Sequence, residues 1–478
     1  MAGPGDDRQA AVSGPEVGAT APIETAATAS ALPPFPATTS APPSSRATAS
    51  APPSSTPTAL DPTPAVAAIV SQTADPAATP AASAVAAADI PGIDASADGG
   101  STGSEQDRAF MAEAIRLSRT HTGQTSTNPS VGCVVVKNGA IVGRGVTAVG
   151  GRPHAEPQAL ADAGEQARGA TAYVTLEPCS HYGHTPPCAN ALVAAGVARV
   201  VISLTDPDPR VSGRGVAILE AAGIAVDTGV MAAESRKALA GYLTRQTKHR
   251  PHVTLKLAVS ADGMIGKSGA GQVAITGPLA RAAVQQLRAE TDAILIGIGT
   301  ALADDPDLTC RVPGLEHRSP IRIVLDRNLD LPPNSKLATT AKIVPVIIVS
   351  DGSPSPRRGV GARRADEGEP QTLNDRRSAL RSRGVEILAQ DPSDLATLLT
   401  TLAARGISTL LVEGGAKVAK AFLDAHLVDR ILLLSGSDPI GAGGIPAPIS
   451  VQDMPGEFHH LRQTRFGPDL CDTYESDL

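Results

Sequence analysis

The sequence predicts an α/β protein of two successive domains behind a long low-complexity tail. Three observations carry this. From Glu105 onward, apolar runs of strand length alternate with helical patterns, the rhythm of sheets covered by helices. That rhythm pauses at residues 246–251 and starts again at His252. Residues 1–104 are dominated by Ala, Pro, Ser and Thr, with few charges and almost no aromatics. At 478 residues the chain has room for two or three domains.

The tail repeats Ser-Ala-Pro-Pro-Ser-Ser at 40–45 and 50–55. Such a segment buries too little apolar area to offset chain entropy, so 1–104 is expected to be disordered. It does not read as a signal or transit peptide, because no apolar run follows a basic start and Arg8 and Arg46 are its only basic residues. No segment reaches the roughly 18–20 apolar residues that span a bilayer. A net charge of −7 without a basic block argues against a nucleic-acid partner and for a small-molecule target. Five cysteines fit a reducing cytoplasm better than a disulfide framework.

The first domain is expected over 105–245. It opens with a helix at 108–119, followed by strands near 131–137, 140–146, 171–176 and 198–204 and helices at 155–167 and 188–196, an α/β layered pattern. Pro207, Pro209 and Gly213-Arg214-Gly215 mark a turn that leads into a helix and a short strand. Its chemistry lies in Pro153-His154-Ala155-Glu156 and in Pro178-Cys179-Ser180-His181-Tyr182-Gly183-His184-Thr185-Pro186-Pro187-Cys188. His154, Cys179 and Cys188 offer one imidazole and two thiolates to a tetrahedral Zn²⁺, leaving the fourth position for water. Such a water has a pKa near ~7, and Glu156 can carry its protons while hydroxide attacks an amidine-like ring carbon, the chemistry of zinc nucleobase deaminases. Cys188 falls in the first turn of a helix, where thiolate is favoured over thiol. Cys133, inside an apolar strand, reads as core.

The second domain is expected over 252–478. A strand beginning at His252 turns at Asp262-Gly263; a helix at 278–290 and strands at 293–299, 321–326, 344–350, 385–388, 408–412 and 430–434 follow. The polar, Pro/Gly/Arg-rich stretch 351–378 reads as a mobile loop. In Leu410-Leu411-Val412-Glu413-Gly414-Gly415-Ala416-Lys417 a strand turns through two glycines into a helix at 416–427. That arrangement lets backbone N–H groups approach an anion, although two glycines between strand and helix are more often a plain turn.

His-Ala-Glu with Pro-Cys-Ser-His-x-Gly-x-Thr-Pro-Pro-Cys has eight residues between its cysteines, where the common deaminase pattern has two. Together with Asn128-Pro-Ser-Val-Gly-Cys133 it resembles the deaminase half of the bifunctional deaminase/reductase family of riboflavin biosynthesis. Lys256-Leu-Ala-x-Ser260-x-Asp262-Gly263, Ile275-Thr-Gly-Pro278, Asp304-Asp-Pro-x-Leu308-Thr-x-Arg311 and Val412-Glu-Gly-Gly415 resemble the reductase half. The resemblance covers roughly 106–350 and 380–445. It implies a cytidine-deaminase-like three-layer domain followed by a dihydrofolate-reductase-like domain that uses NADPH. Substrate contacts are implied at Asn128 and His181 in the first site and at Gln272, Arg288, Leu308, Arg311 and Glu413 in the second. NADP contacts are implied at Ala258, Ile265, Ala274, Thr300, Asp304, Gly415, Ala416 and Lys417. The sequence departs from the family at His184, where relatives carry Arg or Lys, and at Gln272-Val273-Ala274, where Ser-Gln-Trp is common.

The expected activity is hydrolytic deamination of a 2,5-diamino-6-ribosylamino-pyrimidinone phosphate, then reduction of its ribosyl chain to ribityl. The partner is that small molecule, with a homo-oligomer possible. Two rival readings stay open on sequence grounds: a single-function deaminase with a structural C-terminal domain, and a zinc-stapled binding module, which would need a fourth protein ligand.

Overall fold

The computed structural model describes residues 103–183, 186–352 and 372–476. Most of the tail, the centre of the 351–378 stretch, His184 and the last two residues lie outside the described residues. Among the described residues no helix is long and apolar enough to cross a membrane.

The first sheet is built from β1 (Gly132–Lys137), β2 (Ala140–Val146), β3 (Thr171–Val174), β4 (Arg199–Ile202) and β5 (Ala225–Thr228), in the order β2-β1-β3-β4-β5. β1 is antiparallel to both neighbours, and β3, β4 and β5 run parallel. Its helices are α1 (Glu105–Ser118), α2 (Ala155–Ala163), α3 (Cys188–Ala195), α4 (Arg214–Ala221), α5 (Ala232–Ala238) and α6 (Ala240–Lys248). Successive strand residues face opposite sides. Cys133, Val135, Val174 and Ile202 pack on Ala159 of α2 and Leu192 of α3, while Val134, Tyr173 and Val201 pack on Met111 and Ile115 of α1. Helices thus cover both faces, giving three layers. α2 lies unusually close to β2, because a Cβ at Gly145 would sit 2.1 Å from the Ala155 carbonyl oxygen. That approach sets the first turn of α2 against the sheet, and with it His154 and Glu156.

The second sheet holds β6 (His252–Val259), β8 (Ala293–Gly297), β9 (Ile321–Leu325), β10 (Val346–Ser350), β11 (Glu386–Ala389), β12 (Thr409–Val412), β13 (Arg430–Ser435), β15 (Phe458–Phe466) and β16 (Asp469–Ser476); β7 (Met264–Lys267) and β14 (Gly444–Pro446) form a separate ribbon. Its order is β11-β10-β9-β8-β12-β6-β13-β16-β15, parallel up to β13 and antiparallel beyond. β8 and β10 are buried along their whole length, as strands covered on both faces must be. One face packs on α11 (Leu395–Ala404) and α12 (Ala416–Asp424) through Leu398, Leu402 and Phe422. The other packs on α9 (Lys336–Thr339) and α10 (Leu373–Ser382) through Leu337 and Leu380. α7 (Pro278–Ala289) and α8 (Ile298–Asp304) flank β8 in sequence.

Several elements differ from the sequence reading. The helix expected to 167 gives way after Ala163 to a 3₁₀ turn, Gly164–Ala167, with Gly164 at φ 54°. The strand expected over 293–299 ends at Gly297, and α8 starts at Ile298. Residues expected as linker extend α6 to Lys248. The last part of the expected loop 351–378 is helical from Leu373, because Thr372 and Asp375 close a capping box.

Candidate functional site

His154 is the N-cap of α2, Cys179 lies beyond the end of β3, and Cys188 is the first residue of α3. His154 Nδ1 lies 3.7 Å from Cys179 Sγ and 3.4 Å from Cys188 Sγ, and all three ligand atoms fall within 4.8 Å of one another. Zinc bonds of about 2.0–2.1 Å to nitrogen and about 2.3 Å to sulfur, at tetrahedral angles, place N and S about 3.6 Å apart. The three donors therefore fit a zinc ion. The Cys188 N–H donates to Cys179 Sγ at 3.3 Å, so the start of α3 favours charge on that sulfur. Contact between the sulfurs pulls the Cys179 thiol down and pushes Cys188 up. Holding both sulfurs as thiolates takes a cation shared between them, and the donor set has the place for one.

Glu156, 3 % exposed, sits in the first turn of α2. Burial pushes its carboxyl up to about 7, the Cys179 charge adding to the push and His154 opposing it. A cavity of about 320 Å³ opens over these groups and also takes in Asn128 and His181. Asn128 is seated by Gly151, which at φ 90° leaves no room for a Cβ: one would stand 2.4 Å from the Asn128 amide nitrogen.

The sequence reading missed part of this cavity. Glu177 is buried and accepts from the N–H groups of Gly213, Gly215 and Asp206, which ties the segment carrying Cys179 to the 206–215 turn. That turn contributes Asp206, Asp208 and Arg210 to the lining. Tyr242, Arg245 and Gln246 of α6 line it too. Asp-Pro-Asp-Pro at 206–209, read as a turn, was the available signal.

In the second sheet Glu413, at the end of β12, lies between Arg288 of α7 and Lys256 of β6. Arg288 Nε donates to Oε1 at 2.9 Å and Nη2 to Oε2 at 3.1 Å, and Lys256 Nζ is 3.9 Å from Oε2. Burial pushes the Glu413 carboxyl up, but Arg288 and Lys256 more than reverse it, leaving it below its usual value. The charge of exposed Arg311 also reaches Glu413. Leu308 is buried nearby in sequence, at φ 54°.

A second group forms at the N-terminus of α12. The Gly415 N–H donates to Thr300 Oγ1 of α8 at 3.1 Å. A Cβ at Gly414 would sit 2.6 Å from the Val418 side chain, so only glycine permits this turn. Beyond it the first N–H groups of the helix, from Ala416 and Lys417, have no carbonyl one turn back, and this cradle fits a phosphate of a dinucleotide. Asp304 ends α8, its carboxyl pushed up by burial. Ala258 lies on β6, Ile265 on β7, and Gln272 and Ala274 in the exposed segment before α7. Among the described residues no side-chain hydrogen bond or ion pair joins these four to either group. His184 lies outside the described residues.

Comparison with known proteins agrees with both halves. Residues 104–204 match the cytidine and deoxycytidylate deaminase zinc-binding region, and residues 251–471 match the RibD C-terminal domain. The chain is 39 % identical over 373 residues to riboflavin biosynthesis protein RibD of Escherichia coli, covering 77 % of this chain and 98 % of that one. It is 38 % identical to RibD of Aquifex aeolicus, covering 71 % and 89 %. Among solved structures, RibD of Acinetobacter baumannii superposes with a TM-score of 0.66 at 35 % identity, covering 78 % of this chain and 99 % of that one. The diaminohydroxyphosphoribosylaminopyrimidine deaminase/5-amino-6-(5-phosphoribosylamino)uracil reductase of Thermotoga maritima gives 0.66 at 32 % identity with the same coverage. With this identity over nearly the whole length of its relatives, the chain belongs to the RibD family of riboflavin-biosynthesis proteins.

Proposed function

We infer that this chain is a bifunctional enzyme of riboflavin biosynthesis. It hydrolytically deaminates 2,5-diamino-6-ribosylamino-4(3H)-pyrimidinone 5′-phosphate and then reduces the ribosyl chain, giving 5-amino-6-ribitylamino-uracil 5′-phosphate. The observation that carries this is the His154, Cys179 and Cys188 triad at tetrahedral zinc spacing beside buried Glu156, in one chain with a glycine cradle at the N-terminus of α12. We assign deamination to residues 105–245 and reduction to 252–478.

In the first site His154, Cys179 and Cys188 hold zinc. Bound there, the ion lowers the pKa of a water and stabilises the charge that develops during its attack. Glu156 takes a proton from the attacking water at its carboxylate and returns protons to the ring nitrogen and to the departing ammonia. A carboxyl pushed toward neutrality is suited to both transfers. Asn128 and His181, lining the same cavity, orient the pyrimidine.

In the second site Gly415, Ala416, Lys417 and Thr300 hold the dinucleotide, together with Asp304, Ala258, Ile265 and Ala274. NADPH bound there supplies the hydride for C1′ of the opened ribose. Glu413, Leu308, Gln272, Arg288 and Arg311 face the substrate in this reading, and Arg288 also holds the Glu413 carboxylate in place. No disulfide joins the five cysteines, which supports a cytoplasmic enzyme. Its partner is the small-molecule substrate, without nucleic acid or membrane, and a homo-oligomer is compatible with the fold.

The deciding experiment is the product mass after incubation with substrate. Without NADPH the product should carry a uracil ring and an intact ribosyl group; with NADPH it should gain two hydrogens. A deaminated product unchanged by NADPH would instead support a single-function deaminase.

A further inference from the structure

The deaminase cavity contains a cation without a matching acid. Its lining includes four carboxylates, Glu156, Glu177, Asp206 and Asp208, and three arginines, Arg152, Arg210 and Arg245. The acids other than Glu156 are already committed. Glu177 accepts from backbone N–H groups of the 206–215 turn. Asp208 is gripped by Arg210, through Nε at 3.0 Å and Nη2 at 2.5 Å. Asp206 accepts from the Tyr242 hydroxyl at 3.0 Å and the Asp208 N–H at 2.9 Å.

Arg245 differs from Arg210. Its Nη2 donates to the Thr127 carbonyl, while its Nε is buried with no hydrogen-bond partner. Among the described residues no carboxylate lies within ion-pair distance of it. Asp292, at the foot of β8, is near enough to attract it, yet Asp292 Oδ2 is occupied by the Ser408 and Thr409 N–H groups and the Thr409 hydroxyl, at 2.8, 2.8 and 3.0 Å. Burial accordingly pulls Arg245 below its ordinary value. A half-buried guanidinium without a paired counter-ion carries a desolvation cost, and an anion brought by a ligand offsets it. The carbonyl it grips belongs to Thr127, next to Asn128 in the same lining.

We propose that Arg245 is the phosphate anchor of the deaminase cavity, pairing with the 5′-phosphomonoester of the pyrimidine riboside. This rests on the deaminase reading of the cavity and deepens it. A planar guanidinium matches phosphate oxygens two at a time, and a riboside phosphate offers one such group, remote from the ring where Glu156 acts. The anchor stands on α6, the helix that leads into the second domain.

The test uses the full-length zinc enzyme and two substrates, the phosphorylated pyrimidine riboside and its dephosphorylated form. The wild type should favour the phosphorylated substrate in kcat/KM. Arg245→Gln keeps an amide donor for the Thr127 carbonyl and removes the charge. It should lower that preference by about 10- to 100-fold, mostly through KM. Inorganic phosphate should compete with the phosphorylated riboside in the wild type, with at least ~10-fold weaker inhibition in the variant. Zinc content and melting temperature, read on the same samples, identify a misfolded variant. Should the variant misfold, Arg245→Met, uncharged and of similar reach, takes its place with the same expected loss of preference.

Equal kcat/KM for the two substrates in the wild type would overturn the proposal. So would a parallel fall on both substrates in a folded variant, which would mean that Arg245 only positions Thr127 and Asn128. Deamination of neither substrate by the wild type would sink the reading of the cavity itself, a result distinct from both.

Discussion

Arg288 and Glu413, on elements 125 residues apart in sequence, meet fork to carboxylate in the second domain with side chains 10 % and 11 % exposed. Arg288 Nη1 also donates to the Thr309 carbonyl at 3.2 Å, so most of its donors are engaged before any substrate arrives.

Removing one partner of a buried pair strands the other. Arg288→Ala is expected to destabilise the reductase domain by about 3–5 kcal/mol, whereas replacing both partners, Arg288→Met with Glu413→Leu, should recover part of that loss. Denaturant unfolding of the two variants checks this. An unchanged midpoint in Arg288→Ala, with only the reductase KM raised, would show that the arginine serves substrate alone.

The zinc assignment makes a sharper demand. Cys179→Ser or Cys188→Ser removes one of three protein ligands and should strip the metal and lower deamination by about 10²-fold or more. NADPH-dependent reduction of the already deaminated intermediate should persist, since no metal ligand comes from the second sheet. Metal analysis alongside both assays decides it; full zinc occupancy in either variant would mean that another residue completes the site.

The metal centre was legible because its parts are local: His154 and Glu156 are two residues apart, and the cysteines bracket one loop. The alternation of strands and helices was legible for the same reason. What escaped was long-range or polar. β15 carries His459, His460, Arg462 and Arg465 on a largely exposed strand, and an edge strand of that composition gives no apolar run to recognise. Tyr242 and Arg245 carried no signal in the sequence, because only the folded chain brings α6 against Thr127 and Asp206. The Arg288–Glu413 pair likewise left no trace in spacing.

His252, the first residue of β6, makes the stability of the second domain depend on pH. Burial pulls its imidazole from 6.5 down to about 4, Asp429 opposing the shift. Between those values the unfolded chain holds a proton that the folded chain does not, so stability rises with pH across the window and is complete above about 6.5. On acidification the domain should lose on the order of 3 kcal/mol from this group. Urea midpoints at pH 5 and pH 7.5 measure the slope, and His252→Gln should flatten it. An equal slope in the variant would assign the pH dependence to other groups.

Glu156 carries the proton transfers in this account without binding metal, and that separation of roles can be measured. Its carboxyl is buried in the first turn of α2, two residues from a ligand, while the three-donor set already has tetrahedral spacing without it. Glu156→Gln preserves size and one acceptor oxygen but neither accepts nor delivers a proton at neutral pH. It is therefore expected to keep one zinc per chain and a wild-type melting temperature, while deaminase turnover falls by at least ~10². KM for the pyrimidine substrate should change far less than kcat, because the contacts proposed for Asn128, His181 and Arg245 are left in place. Loss of zinc from the variant would make Glu156 a ligand; retained turnover with full zinc would move the proton relay to another group of the lining, where the carboxyl of Asp206 is also pushed up by burial, to about 6.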